Sequence, residues 1–164
     1  MAAQTINEAG IALIKRWEGF RPRPYLDPVG IPTIGYGTIV YPDTSKRVTM
    51  KDAPISEERA TALLRMHLIR VEMDVRRLLE VKLNGNRFSA LCSFVYNLGI
   101  GNFRKSTLLK VINAAPGSPG IRVEFMKWVN AGGRRMEGLV RRRKEEADLY
   151  FTPEQCDTCG FSRV

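Results

Sequence analysis

The first apolar positions, Ile6, Ala9, Leu13, Ile14 and Trp17, recur every three or four residues and share one helical face over residues 6–18. Thr5-Ile6-Asn7-Glu8 reads as a capping box, the Thr5 hydroxyl accepting from an early amide and Glu8 reaching back. Lys15 and Arg16 suit the negative end of that helix, and Gly19 can take the left-handed conformation that closes it. From Arg21 to Asp52 the helical period is lost. Pro22, Pro24, Pro28, Pro32 and Pro42, with Gly30, Gly35 and Gly37, leave short β-leaning pieces at residues 31–34 and 38–41. That texture predicts a small antiparallel sheet of hairpins. Helical spacing returns after Pro54. Ser56 is the predicted N-cap, Glu57 and Glu58 fill the first turn, and Ala60, Leu63, Leu64, Met66, Val71, Val75, Leu78 and Leu79 carry the pattern to about residue 80.

Asn84-Gly85-Asn86 breaks the chain, and residues 88–96 follow as an almost wholly apolar helix suited to a core. Gly99 and Gly101 interrupt before a helix near residues 106–113. Residues 116–120 form a Pro- and Gly-rich loop, with further helices expected near 121–130 and 138–150. The predicted class is α+β, mainly α: one domain over residues 1–164 with two lobes. A sheet-containing lobe covers about 19–55 and a connecting helix about 56–80. A helical lobe of about 81–151 packs with the N-terminal helix, and 152–164 form a tail.

Composition narrows this picture. Hydrophobic residues at 44% and charged residues at 26% are ordinary for a globular protein, but 26 Lys+Arg against 17 Asp+Glu leave a net charge of +9. Such a field attracts polyanions, whether nucleic acid, anionic lipid or an acidic wall polymer. No nucleic-acid-binding motif accompanies the basic run at residues 141–144, so specific nucleic-acid binding is not expected. The basic, partly apolar segment 138–151 could lie on anionic lipid, such as an outer-membrane surface. Cys92, Cys156 and Cys159 are too few and too odd in number for a disulfide scaffold. Only Cys92 and His67 could complete a four-ligand zinc site with Cys156 and Cys159, so a free or adventitiously oxidised pair, with no metal and no cofactor, is expected. No apolar run approaches a membrane span, and Asn7 and Glu8 interrupt what would have to be a signal peptide. Synthesis in the cytosol without an export signal is the expectation.

Glu18 sits at a helix end between Trp17 and Phe20, where water-excluding rings and the negative helix terminus should keep its carboxyl protonated. A neutral carboxylic acid is what general-acid cleavage of a glycosidic bond requires. Asp27 follows in a polar loop that favours its anion, and Thr33 adds a hydroxyl able to hold water. Spacing alone leaves the plainer reading open and commoner, since Asp27-Pro28-Val29-Gly30 is also an ordinary turn.

The segment Trp17-Glu18-Gly19-Phe20, Tyr25-Leu26-Asp27-Pro28-Val29-Gly30 and Thr33-Ile34-Gly35-Tyr36-Gly37 resembles the catalytic stretch of the phage-type lysozymes, the endolysin family. Its Glu-x8-Asp-x5-Thr signature matches Glu18, Asp27 and Thr33 at every gap. Residues 90–99, 103–109 and 138–143 resemble later motifs of the same family in the same order. The resemblance implies a two-lobed lysozyme fold and hydrolysis of the β-1,4 bond from N-acetylmuramic acid to N-acetylglucosamine in bacterial peptidoglycan. It implies Glu18 as proton donor, with Asp27 and Thr33 holding the attacking water for inversion. Tyr96, Asn97 and Ser106 match family positions facing the cleft, although an aromatic such as Tyr96 on an apolar helix is more often core. The Gly-Leu-x-x-Arg-Arg pattern favours Arg142, within residues 141–143, as the arginine reaching Glu18. A monomer is implied, reaching the wall from the host cytoplasm through a holin-type pore. Thr38 stands where many relatives have His, a change expected to touch local stability rather than chemistry. His67, mid-helix among charged residues, is expected at the surface. A non-hydrolytic wall-binding module is the remaining rival, and the intact Glu-Asp-Thr spacing argues against it.

Overall fold

A computed structural model describes residues 4–154; Cys156 and Cys159 lie outside the described residues. The first helix, α1 (Glu8–Glu18), is capped by Asn7, whose side-chain oxygen accepts the Gly10 N–H at 3.0 Å. The cap therefore lies two residues beyond the expected Thr5. The cause is tertiary: the Asn7 N–H donates to Ser89 Oγ and its side-chain amide to Asn86 Oδ1, which pins the boundary there. Gly19 ends the helix at φ 71°, its N–H donating to the Lys15 carbonyl. The buried stripe is Gly10, Ile11, Leu13 and Ile14, while Ala9, placed inside by periodicity, is exposed.

Strands β1 (Arg21–Leu26) and β2 (Pro32–Gly35) pair antiparallel, Tyr25 opposite Thr33 and Leu26 opposite Pro32. The Arg-Pro-Arg-Pro start of β1 hid it from the sequence reading. A two-stranded sheet has only edges, and an edge strand can turn a proline's missing N–H away from its partner. Residues 38–41 supply only single bridges, Ile34 to Thr38 and Val40 to Arg47. Next, α2 (Glu57–Leu78) begins at the expected Ser56 cap, which accepts the Arg59 N–H.

α3 (Gly85–Leu98) starts three residues ahead of the predicted segment, because Asn84 accepts the Arg87 N–H and caps it. A short helix, α4 (Ile100–Lys105), occupies the stretch where the glycines suggested only a break; fully buried Phe103 anchors it. α5 (Thr107–Ala114) and α6 (Gly120–Met126) follow. α6 is shorter than predicted because Asn130–Ala131 (β3) and Arg134–Arg135 (β4) form a hairpin closed by Gly132 and Gly133. The last helix is α7 (Glu137–Phe151).

The larger buried cluster surrounds α3, where Phe88, Leu91 and Phe94 meet Phe103, Leu108, Ile112, Phe125 and Tyr150. A smaller one, Ile11, Ile14, Tyr36, Ala60, Leu64 and Leu68, joins α1, the residues just after β2, and α2. α1 can lie against α3 because residue 10 is glycine: a Cβ there would fall 2.5 Å from Ser89 Cβ. α7 packs chiefly on α3 and buries Arg142, Arg143, Glu146, Ala147 and Tyr150. The inner face of segment 138–151 is thus taken by the core, while Arg141 and Lys144 stay exposed. His67 departs from expectation too. It is half-buried, its Nε2 has no partner among the described residues, and burial lowers its pKa below the usual imidazole value. No helix among the described residues is long and apolar enough to cross a membrane.

Candidate active site

Glu18 is the last residue of α1, and α7 brings a cation to it: Arg142 Nη1 donates to Glu18 Oε1 at 2.8 Å. The guanidinium is nearly enclosed and the carboxylate less so, their side chains being 5% and 23% exposed. Arg142 is itself gripped from behind. Its Nε donates to Glu146 Oε1 at 3.2 Å, Ser93 Oγ donates to the same oxygen at 2.7 Å, and Arg142 Nη2 reaches the Ser93 carbonyl at 3.4 Å. Arg143 completes the cluster, with Nε 3.1 Å from Glu146 Oε2 and its guanidinium over the Phe94 ring. Burial pushes the Glu146 carboxyl up from the usual range, while Arg143, Arg142 and the Ser93 hydroxyl hold it back. Burial also pulls Arg143 down to about 10, against the pull of Glu146.

The rings expected to shield Glu18 are engaged elsewhere. The Trp17 indole N–H donates to Glu145 Oε2 at 3.0 Å, and the Phe20 ring packs against Tyr36. On the carboxyl's other side stands Gly37, at φ 94°, where a Cβ would lie 3.9 Å from Glu18 Oε2 and 3.7 Å from Tyr96 Oη. One oxygen of Glu18 is therefore tied to Arg142, and the other borders a position kept free of side-chain bulk.

Tyr96 is half-buried and donates its hydroxyl to the Tyr36 carbonyl at 3.0 Å; burial, then the Glu18 charge, raises its pKa. Tyr25, on β1, is raised by burial first, with Arg21 opposing and both Glu18 and Asp27 adding to the shift. This ring thus lies within electrostatic reach of both carboxylates. Asp27 follows β1 in a turn in which its Oδ1 accepts the Val29 and Ile31 N–H groups at 2.9 and 2.8 Å. Those bonds orient the carboxylate and leave Oδ2 outside them. Thr33, buried on β2, donates its hydroxyl to the Ile31 carbonyl at 2.9 Å, so its oxygen lone pairs can only accept.

Asn97 is exposed at the end of α3, and its Oδ1 accepts from Arg143 Nη2 at 2.6 Å, a bond that does not use its amide N–H groups. Ser106 is 3% exposed and caps α5: its hydroxyl donates to the Phe103 carbonyl and accepts the Leu109 N–H. The structure gives Ser106 this internal task. Of residues 141–144, Arg142 and Arg143 are buried and Arg141 and Lys144 are solvated.

Sequence reasoning missed Glu146, Arg143, Ser93, Tyr25 and Gly37. Glu146 carried a usable signal, lying four residues after Arg142 and hence on the same helical face. Nothing in the sequence marks Ser93.

Glycoside hydrolases typically act through a pair of carboxyl groups, and Glu18 and Asp27 are the two candidates here. The phage lysozyme family matches residues 15–146. The chain is 40% identical over 149 residues to an endolysin of Bacillus phage B103, covering 91% of this chain and 55% of that protein. It is 38% identical to an endolysin of Acyrthosiphon pisum secondary endosymbiont phage 1, covering 88% and 97%. Among solved structures, an endolysin from Escherichia coli O157:H7 phage FAHEc1 superposes with a TM-score of 0.82 at 33% identity, covering 92% and 95%. The chain therefore belongs to the phage lysozyme family, glycoside hydrolases of the muramidase class that lyse bacterial peptidoglycan. It spans about half the length of the B103 relative and nearly all of the second.

Proposed function

We propose that this chain hydrolyses the β-1,4 bond between N-acetylmuramic acid and N-acetylglucosamine with inversion, Glu18 protonating the leaving oxygen. Asp27 takes the proton of a water whose remaining hydrogen is accepted by the Thr33 hydroxyl, and that water attacks the anomeric carbon from the opposite face. One observation supports the reading: Arg142 holds one Glu18 oxygen at 2.8 Å, while the Asp27 turn holds Oδ1 and leaves Oδ2 outside its hydrogen bonds. Inversion requires the two carboxyl groups to stand roughly 6.5–9.5 Å apart, with room for water between them. The amide N–H groups of exposed Asn97 suit a substrate acetamido carbonyl, and the half-buried Tyr96 ring suits a sugar face. Acting as a monomer, the protein would accumulate in the host cytoplasm and reach the wall through a holin-type pore, ending in lysis. The net charge of +9 would favour retention on an acidic wall or an anionic outer-membrane surface.

Glu18→Gln tests this directly. Release of reducing ends from purified sacculi is expected to fall by about a thousandfold, with the fold retained. Unchanged release overturns the role of Glu18. Anhydro-muramyl ends from the wild type would instead identify a lytic transglycosylase, and the water-activating role of Asp27 and Thr33 would be wrong.

A further inference from the structure

We propose that Glu146 is the positioning residue of the active centre, acting on the proton donor Glu18 through Arg142. The inference rests on the reading of Glu18 given above and extends it to a residue that touches no substrate. Glu146 is wholly buried, an expensive place for a carboxylate unless it is paired and hydrogen-bonded. Two of its three partners are unusual for a mere core tie, because they lead outward to the candidate site. Arg142 runs from Glu146 Oε1 to Glu18 Oε1, and Arg143 runs from Glu146 Oε2 to Asn97 Oδ1. Ser93, on α3, anchors the shared carboxylate to the helix on which α7 packs. One buried carboxylate thus pairs with two guanidinium groups, hydrogen-bonded to Arg142 and in ion-pair contact with Arg143.

A guanidinium is long and flexible on its stem, and a carboxylate behind it removes that freedom. With Nε on Glu146, the Arg142 fork can present Nη1 to Glu18 in one orientation. The negative charge of Glu146 also offsets part of the Arg142 field at Glu18.

The test is Glu146→Gln in the full chain, alone and combined with Glu18→Gln. The variant keeps the size of the side chain and an acceptor for Ser93 and Arg142 but loses the charge. kcat should fall about tenfold, with KM changed by less than about threefold. In thermal unfolding, the double variant should lose at least about 2 °C less than the sum of the single variants, since both substitutions act on Arg142. If Glu146→Gln does not fold, Ser93→Ala, which removes one hydroxyl from the same carboxylate, is read in the same way for kcat and for coupling to Glu18→Gln.

A lowered Tm with wild-type kcat and additive unfolding losses would make Glu146 a structural ion only and overturn the proposal. Full activity of Glu18→Gln would instead remove the proton-donor reading. The unfolding coupling would still report whether Glu146 and Glu18 communicate.

Discussion

Around Glu18, helices α1, α3 and α7 converge and bring their polar groups inside: Arg142, Arg143, Glu146 and Ser93 are all buried. Asp27 rests instead on a short turn after an edge strand, held by the amides of Val29 and Ile31, in a stretch where Leu26, Val29 and Ile31 are exposed. One carboxyl is thus positioned by residues more than a hundred places away in sequence, the other by its nearest neighbours. The contrast separates two ways of orienting a charged group. A buried cluster must satisfy every member or become costly, so it ties the site to the packing of the helices. A turn that folds back on its own side chain needs only a few residues of chain.

The sharpest way to break this comparison is Asp27→Asn. The amide keeps an oxygen for the Val29 and Ile31 N–H groups, so the turn persists while the anion is lost. Hydrolysis of sacculi should fall by about a thousandfold, with Tm within about 2 °C of the wild type. A large loss of Tm would show that the turn depends on the charge, and the contrast with Glu18 would fail.

Gly10→Ala acts on the other side. Its Cβ would meet Ser89 Cβ at 2.5 Å and force α1 away from α3, at a cost of about 2 kcal/mol, or roughly 6 °C in Tm by calorimetry. Activity below the transition should fall as well, because α1 ends in Glu18. A more stable variant, following the better helix propensity of alanine, would mean that the helices can separate freely.

Tyr41→Phe gives the smallest effect and reports on the sheet segment alone. The Tyr41 hydroxyl donates to Asp52 Oδ2 at 2.9 Å, and burial, followed by Asp52, raises its pKa from 10.0 to about 12. The folded phenol holds its proton more tightly than the unfolded one, so its contribution is full below about pH 10 and is lost as pH rises through about 12. The gap in urea midpoint between wild type and Tyr41→Phe should therefore narrow across that window. Tyr150, in the helical core, is also raised to about 12, but it titrates in both proteins and cancels. A constant gap would place the Tyr41 hydroxyl in solvent.

Legibility followed the same division. Ser56 and Gly19 could be read as helix boundaries because caps act over three or four residues, and both act as expected. Thr5 failed as a cap because Ser89 and Asn86, distant in sequence, hold Asn7. β1 was hidden because prolines argue against a strand until the edge is known to be free. The rings beside Glu18 in sequence suggested a shield, yet Trp17 turns to Glu145 and Phe20 to Tyr36.

What the sequence by itself determined is the run of helices, the presence of a small sheet, and the Glu18, Asp27 and Thr33 spacing that resembles a lysozyme. Periodicity, capping and turn chemistry are properties of neighbouring residues, so they need no knowledge of the fold. Only the tertiary structure decided that Arg142 and Arg143 go inside while Arg141 and Lys144 stay in water, and that Glu146 joins them. A charge on a helix becomes buried or solvated according to what packs on its face, and that partner, α3, lies some forty residues earlier in the chain.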